Sequence, residues 1–213
     1  LKNDERRKFS AVFISTLNCI VITVLLLSDL KREKMIRLIL AAIVFVSFAF
    51  TGIDKQPTVY SFKVEGIDGN SIDFSKFKGK KILIVNTASD CGYTGQYEAL
   101  EKLQQQYKEQ LVVIGFPANY FKGQEKSDNQ NIAAFCKKNY GVSFPLMEKS
   151  IVIQKNQQNL VHKWLSDPSL NGWCNQEPVW NFCKYLINEQ GVLTHYFPMS
   201  VDPLDAQIIK AIN

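Results

Sequence analysis

The sequence predicts one α/β domain running from about residue 53 to the end. Two apolar runs carry most of that reading: residues 82–85 (ILIV) and 111–116 (LVVIGF) have the continuous apolar character of strands buried on both faces. Between them Tyr97, Leu100 and Leu103 recur at helical spacing, with Tyr107 beyond. A strand–helix–strand succession implies a parallel pair with a right-handed crossover.

The remaining elements follow in chain order. Residues 58–64 (TVYSFKV) alternate and are rich in β-branched and aromatic side chains, which predicts a strand. Gly66-Ile67-Asp68-Gly69-Asn70 is turn chemistry, and residues 71–74 return as a hairpin partner. After the 82–85 strand, Asn86, Thr87, Ala88, Ser89 and Asp90 turn the chain, and a helix follows Gly95. Residues 117–128 read as a polar loop. A helix is expected over 128–140, capped by Ser127 or Asp128 and ended by Gly141. Residues 150–154 are a short strand candidate, 160–165 a helical turn, and 168–178 irregular. Residues 179–188 and 192–197 read as antiparallel strands joined at Glu189-Gln190-Gly191. An amphipathic helix over 203–212 closes the chain.

The 213 residues are 46% hydrophobic and 21% charged, a globular composition. The net charge of +5 is concentrated at the start, where residues 1–52 hold eight Lys/Arg against four Asp/Glu. The rest is nearly neutral and has no basic block, so nucleic-acid binding is not expected. Residues 1–52 read as a leader with two apolar runs, 9–27 and 38–50. The second has signal-peptide anatomy over about 35–49: Met35-Ile36-Arg37, an apolar core, then small-x-small at Ser47-Phe48-Ala49. Export to the periplasm or medium is the expectation, with Met35 as the true start and residues 1–34 outside the translated protein. The alternative is a membrane anchor. A hairpin anchor is disfavoured because the N-terminus and the segment between the runs are both basic. No cysteine follows the second run to serve as a lipid attachment site.

Cys91 lies where the 82–85 strand gives way to the following helix. A helix start offers unpaired N–H groups and the positive end of a dipole, both of which favour a thiolate. A lone cysteine is more often a small buried hydrophobe. Its position tips the balance towards chemistry.

Three blocks in order then carry a family resemblance. Val85-Asn86-Thr87-Ala88-Ser89 with Cys91-Gly92-Tyr93-Thr94, Gly115-Phe116-Pro117 with Gly123-Gln124-Glu125, and Trp180-Asn181-Phe182 with Lys184-Tyr185-Leu186 resemble the glutathione peroxidases. The resemblance spans nearly all of residues 58–213. It implies a thioredoxin fold, a central mixed β-sheet flanked by helices, and an enzyme that reduces peroxides through Cys91. It assigns Gln124, Trp180 and Asn181 as supporting residues. Their amide and indole N–H groups are neutral donors, suited to stabilising charge on one sulfur and on the departing oxygen. Neighbouring strand residues face opposite ways, so Trp180 and Asn181 share a site only at a strand end. Gly95, Ala118, Tyr120 and Lys126 depart from the family's usual residues, which bears on substrate preference more than on the reaction.

Cys136 resembles the resolving cysteine of the thioredoxin-dependent branch. The implied cycle takes Cys91 to a sulfenic acid, then to a disulfide with Cys136, then back by exchange with a dithiol donor. Partial unwinding of the 128–140 helix is expected to deliver Cys136. Hydrogen peroxide and organic or lipid hydroperoxides are the implied substrates. A thioredoxin-like protein is the favoured reductant, because the basic residues that bind glutathione in classical members are not identifiable; glutathione is the other candidate. Oligomeric members of the family carry a longer insertion where this chain has the short 167–178 segment, so the resemblance favours a monomer, whose open site would admit bulky peroxides near a membrane. No cofactor is expected, and His162 and His195 have no metal-ligand spacing. Cys174 and Cys183 are not expected to pair, and Cys19 falls in the leader. Two other readings remain at this level. One is a peroxide sensor or redox relay. The other is an envelope thioredoxin-like disulfide oxidoreductase, disfavoured because Thr94 stands where Cys-x-x-Cys needs its second cysteine.

Overall fold

The computed structural model describes residues 57–213. The leader, with its signal-peptide and anchor readings and Cys19, lies outside the described residues, as do residues 53–56 of the expected domain. Among the described residues no helix is long and apolar enough to cross a membrane.

The chain opens with a hairpin of β1 (Lys63–Glu65) and β2 (Ser71–Asp73), Val64 opposite Ile72. The strand expected over 58–64 is only partly formed. Val59–Ser61 is a 3₁₀ turn, closed by Ser61 and Phe62 N–H bonds back to Thr58 and Val59. The reason is its neighbour. Val59 N–H donates to Gly191 O at 3.0 Å and the Tyr60 hydroxyl to Glu189 O at 2.8 Å, so this segment packs on a turn and has no strand to pair with.

The main sheet has the order β4-β3-β5-β6. β3 (Lys81–Thr87) and β4 (Leu111–Pro117) are parallel, Ile84 opposite Ile114, joined through α1 (Gln96–Gln106). β5 (Lys184–Ile187) runs antiparallel to β3, and β6 (Leu193–Phe197) antiparallel to β5 with a bulge at Leu186/Ile187. Asn86 and Thr87, expected to turn the chain, continue β3, because they pair with Phe116 and Pro117.

Both faces of the sheet are covered, which is why β4 is buried along its whole length. On one face Ile82, Ile84, Ile114 and Phe116 pack with Val161, Trp164 and Leu165 of α3 (Leu160–Ser166). On the other, Leu83, Val85, Leu111 and Val113 meet α1, α2 (Asn129–Tyr140) and α5 (Ala206–Ile212). Alternate residues of one strand therefore serve two separate cores.

α2 begins at Asp128, whose carboxylate accepts from Asn131 N–H, and ends at Gly141 with φ +65°. The irregular stretch expected over 168–178 begins with a helical turn, α4 (Pro168–Asn171), capped by Asp167. Residues 150–154 form no strand. Their backbone partners are loops and side chains: Ser150 N–H meets Pro117 O and Gln154 N–H meets the Glu177 carboxylate. The strand expected over 179–188 shortens to β5, because Phe182 takes φ +68° and breaks the extended run just upstream.

Candidate active site

The site is assembled at the C-terminal end of β3. Asn86, fully buried, anchors it. Its side-chain Oδ1 accepts from Cys183 N–H at 3.0 Å, and its Nδ2 donates to Trp180 O at 2.9 Å. Its backbone oxygen accepts from Phe182 N–H at 2.6 Å. One residue thus clamps the whole 180–183 turn against the end of the central strand. The left-handed Phe182 lies within this turn, so Trp180 and Asn181 are freed from strand alternation, as a shared site requires.

Cys91 is half-buried and unpaired, on the turn between β3 and α1. Thr94 holds that turn. Its hydroxyl accepts from Cys91 N–H at 2.9 Å and donates to Ala88 O at 3.0 Å, while its N–H returns to Cys91 O at 2.9 Å. Tyr93 N–H reaches the Cys91 Sγ at 3.4 Å, a backbone donor aimed at the sulfur. Cys91 precedes the first helical residue, Gln96, by a run of turns.

The loop after β4 brings Gln124 alongside. Gln124 O accepts from Asp90 N–H at 3.0 Å, which ties the loop to the residue preceding Cys91. Gln124 Oε1 accepts from Asn181 Nδ2 at 2.9 Å, so two of the three expected supporting residues are joined directly. Asn181 Oδ1 is buried without a partner. Trp180 is half-buried, its ring 5.8 Å from the Phe121 ring centroid and beneath Lys122 Nζ at 5.6 Å. Among the described residues, no side-chain amide or indole of this trio hydrogen-bonds to the Cys91 sulfur; their recorded bonds knit the surrounding segments together.

Cys136 is fully buried on α2, in the apolar cluster against which Cys91 packs. Burial pushes its thiol up to about 11. Cys174 and Cys183 are also buried and unpaired, and Cys183 Sγ accepts from the Tyr196 hydroxyl at 3.4 Å. His162 is buried between Phe116 and Tyr185, and burial lowers it to about 3, so it stays neutral in the core.

Several residues that build the site were read from sequence only as parts of the resembling blocks, with no role of their own in the site. Asn86 is one. Lys184 is another: buried, lowered to about 8 by burial, it donates to Phe182 O at 2.9 Å and Val201 O at 2.6 Å. Glu125 is a third. Its buried carboxylate accepts from the Ser89 hydroxyl at 2.9 Å, and burial raises it above the usual carboxyl range. The available signal was the same for Asn86 and Lys184: a polar residue at the edge of an apolar run.

Comparison with known proteins bears on the family and the fold. The glutathione peroxidase family model matches residues 59–166. A glutathione peroxidase-like peroxiredoxin of Chlamydomonas reinhardtii is 41% identical over 161 residues, 74% of this chain and 98% of that protein. A glutathione peroxidase homolog, BsaA, of Staphylococcus epidermidis is 43% identical over 143 residues, 66% of this chain and 89% of that protein. Among solved structures, the apo form of Trgpx superposes with TM-score 0.56 at 34% identity, covering 74% of this chain and 97% of that one. T. cruzi GPX1 gives 0.55 at 28% identity, over 73% and 93%. With its mixed sheet flanked by helices, the domain has a thioredoxin fold, and the chain belongs to the glutathione peroxidase family of thiol peroxidases.

Proposed function

We propose that the chain reduces hydroperoxides with Cys91 as the reacting residue and Cys136 as its resolving partner, and that a thioredoxin-like protein returns the electrons. The observation that carries this reading is the unpaired, half-buried Cys91 sulfur with a backbone donor at 3.4 Å, beside a Gln124–Asn181 pair that is itself bonded to the Cys91 turn. The Cys91 thiolate attacks one peroxide oxygen and the O–O bond breaks. The departing oxygen takes a proton and leaves as water or alcohol, and Cys91 becomes a sulfenic acid. Gln124, Trp180 and Asn181 supply neutral donors around that reaction, with their side chains closing on the sulfur and peroxide when substrate binds. Cys136 then displaces the sulfenic hydroxyl. Because it is buried, α2 opens for this step. The reductant's dithiol resolves the disulfide by exchange.

In this reading hydrogen peroxide and organic or lipid hydroperoxides are substrates, glutathione is the weaker donor, and the domain acts as a monomer exported by its leader. The test is peroxide consumption by the purified chain with thioredoxin and glutathione in parallel. Cys91→Ser is expected to abolish turnover. Cys136→Ser is expected to consume one equivalent of peroxide and then stop under thioredoxin. Turnover surviving in Cys91→Ser rejects the reading, and sustained thioredoxin-driven turnover in Cys136→Ser rejects the resolving role. A wild-type chain that stops after one equivalent with excess reduced donor is a sensor.

A further inference from the structure

Beneath the Cys91 turn, three buried oxygens have no well-formed hydrogen bond: Thr87 Oγ1 at the end of β3, the Tyr97 hydroxyl on α1, and Glu125 Oε1 in the loop after β4. Thr87 and Tyr97 are fully buried and Glu125 is 1% exposed. These are one cluster. The Tyr97 hydroxyl interacts with Thr87, Cys136 and Glu125, and the Cys136 thiol with Tyr97 and Glu125. Glu125 and the Tyr97 hydroxyl, with Thr87 behind it, therefore come from three segments to face a buried thiol carried by a fourth. Buried polar atoms left unpaired are costly and rare in a settled core. This set lies on the buried thiol that must lose its proton for the resolving disulfide to form.

We propose that, before α2 opens, Glu125 takes the Cys136 thiol proton through the Tyr97 and Thr87 hydroxyls, and returns it to the departing hydroxide as the resolving disulfide forms. The inference rests on the resolving role given to Cys136 above. The S–H bond of Cys136 breaks and its electron pair stays on sulfur. That pair forms the S–S bond to Cys91. The S–O bond of the Cys91 sulfenic acid breaks, its pair leaving with oxygen as hydroxide, which the proton converts to water. Cys136 sulfur is oxidised and Cys91 sulfur reduced, so no outside electron carrier enters.

The need is plain from burial. A thiol held near 11 is only about one part in ten thousand thiolate at neutral pH. A nearby carboxylate whose own affinity for protons is raised by burial is a better acceptor than an exposed one. The groups facing Glu125 are Ser89 from the Cys91 turn, Tyr97 from α1, Cys136 from α2 and Lys149 from the segment beyond it. Lys149 Nζ donates to Glu125 O at 3.4 Å and to Ser127 O, anchoring the loop. Glu125 serves as acceptor only when ionised, so disulfide closure slows as pH falls through its raised range.

The full chain is mixed with one equivalent of hydrogen peroxide, quenched over time, and its sulfenic acid and disulfide are measured by mass spectrometry. Glu125→Gln is expected to slow closure, relative to its own first oxidation, by about 10²-fold, and to lose the acid fall of the closure rate. Tyr97→Phe removes the linking hydroxyl with little change of volume and is expected to slow closure by about tenfold while keeping the acid fall. Wild-type closure and pH profile in Glu125→Gln overturn the proposal and leave the resolving role standing. If Glu125→Gln does not fold, an unchanged closure rate in Tyr97→Phe overturns the relay. A wild-type chain that never forms the Cys91–Cys136 disulfide overturns both this proposal and the resolving role.

Discussion

Cys91 and Cys136 pack against one apolar cluster from opposite kinds of position. Cys91 sits on a turn, half-buried, with its backbone carbonyl and amide both bonded to Thr94 and its sulfur open to a donor. Cys136 faces inward from a capped helix, is fully buried, and is held near 11. Access is thus set by the element carrying the thiol, and on the helix burial also raises the Cys136 thiol. A turn exposes a side chain while fixing its backbone. An amphipathic helix hides one until the helix itself opens.

The largest expected effect is on direct reactivity. At pH 8 a thiol near 11 is about one part in a thousand thiolate, so Cys136 should alkylate on the order of 10²–10³ times more slowly than an exposed cysteine. Timed iodoacetamide labelling followed by peptide mass spectrometry reads both cysteines in one sample. Equal rates in the native chain would erase the comparison. A smaller effect tests the Cys91 side alone. Asn86→Ala leaves Cys183 N–H and Trp180 O without their buried partner, and should cost about 2–4 kcal/mol in denaturant unfolding. The first oxidation of Cys91 should slow with it, because the 180–183 turn loses its clamp. The smallest tests the Cys136 side. Gly141 takes φ +65° with open space around it, so Gly141→Ala strains the backbone by about 1 kcal/mol without a clash. Its N–H bonds to Cys136 O and Lys137 O at the helix end. Loosening that end should raise Cys136 labelling by about fivefold and leave Cys91 labelling unchanged.

The two sides were not equally readable. The β3–α1–β4 unit around Cys91 followed from apolar runs and helical spacing, and the Asp128 cap and Gly141 stop of α2 followed from local chemistry. The first part of the 58–64 strand and the whole 150–154 strand failed because strand propensity says nothing of whether a partner lies alongside. Residues 58–61 found the Glu189–Gly191 turn and Gln154 found a glutamate. The trimmed strand at 179–183 failed for a related reason. Asn86, 97 positions from Cys183, takes bonds that a sheet neighbour would otherwise make.

Hydropathy period and end signals act between residues a few positions apart, and so the sequence by itself determined the buried strand pair, the two flanking helices and the turn that presents Cys91. The resemblance it carries also determined the family. What only the tertiary structure decided is how residues remote in sequence meet: Asn86 with the 180–183 turn, Gln124 with Asn181, and Thr87, Tyr97 and Glu125 around Cys136. Those contacts bridge long separations, and a side chain's partner across the fold leaves no periodic mark along the chain.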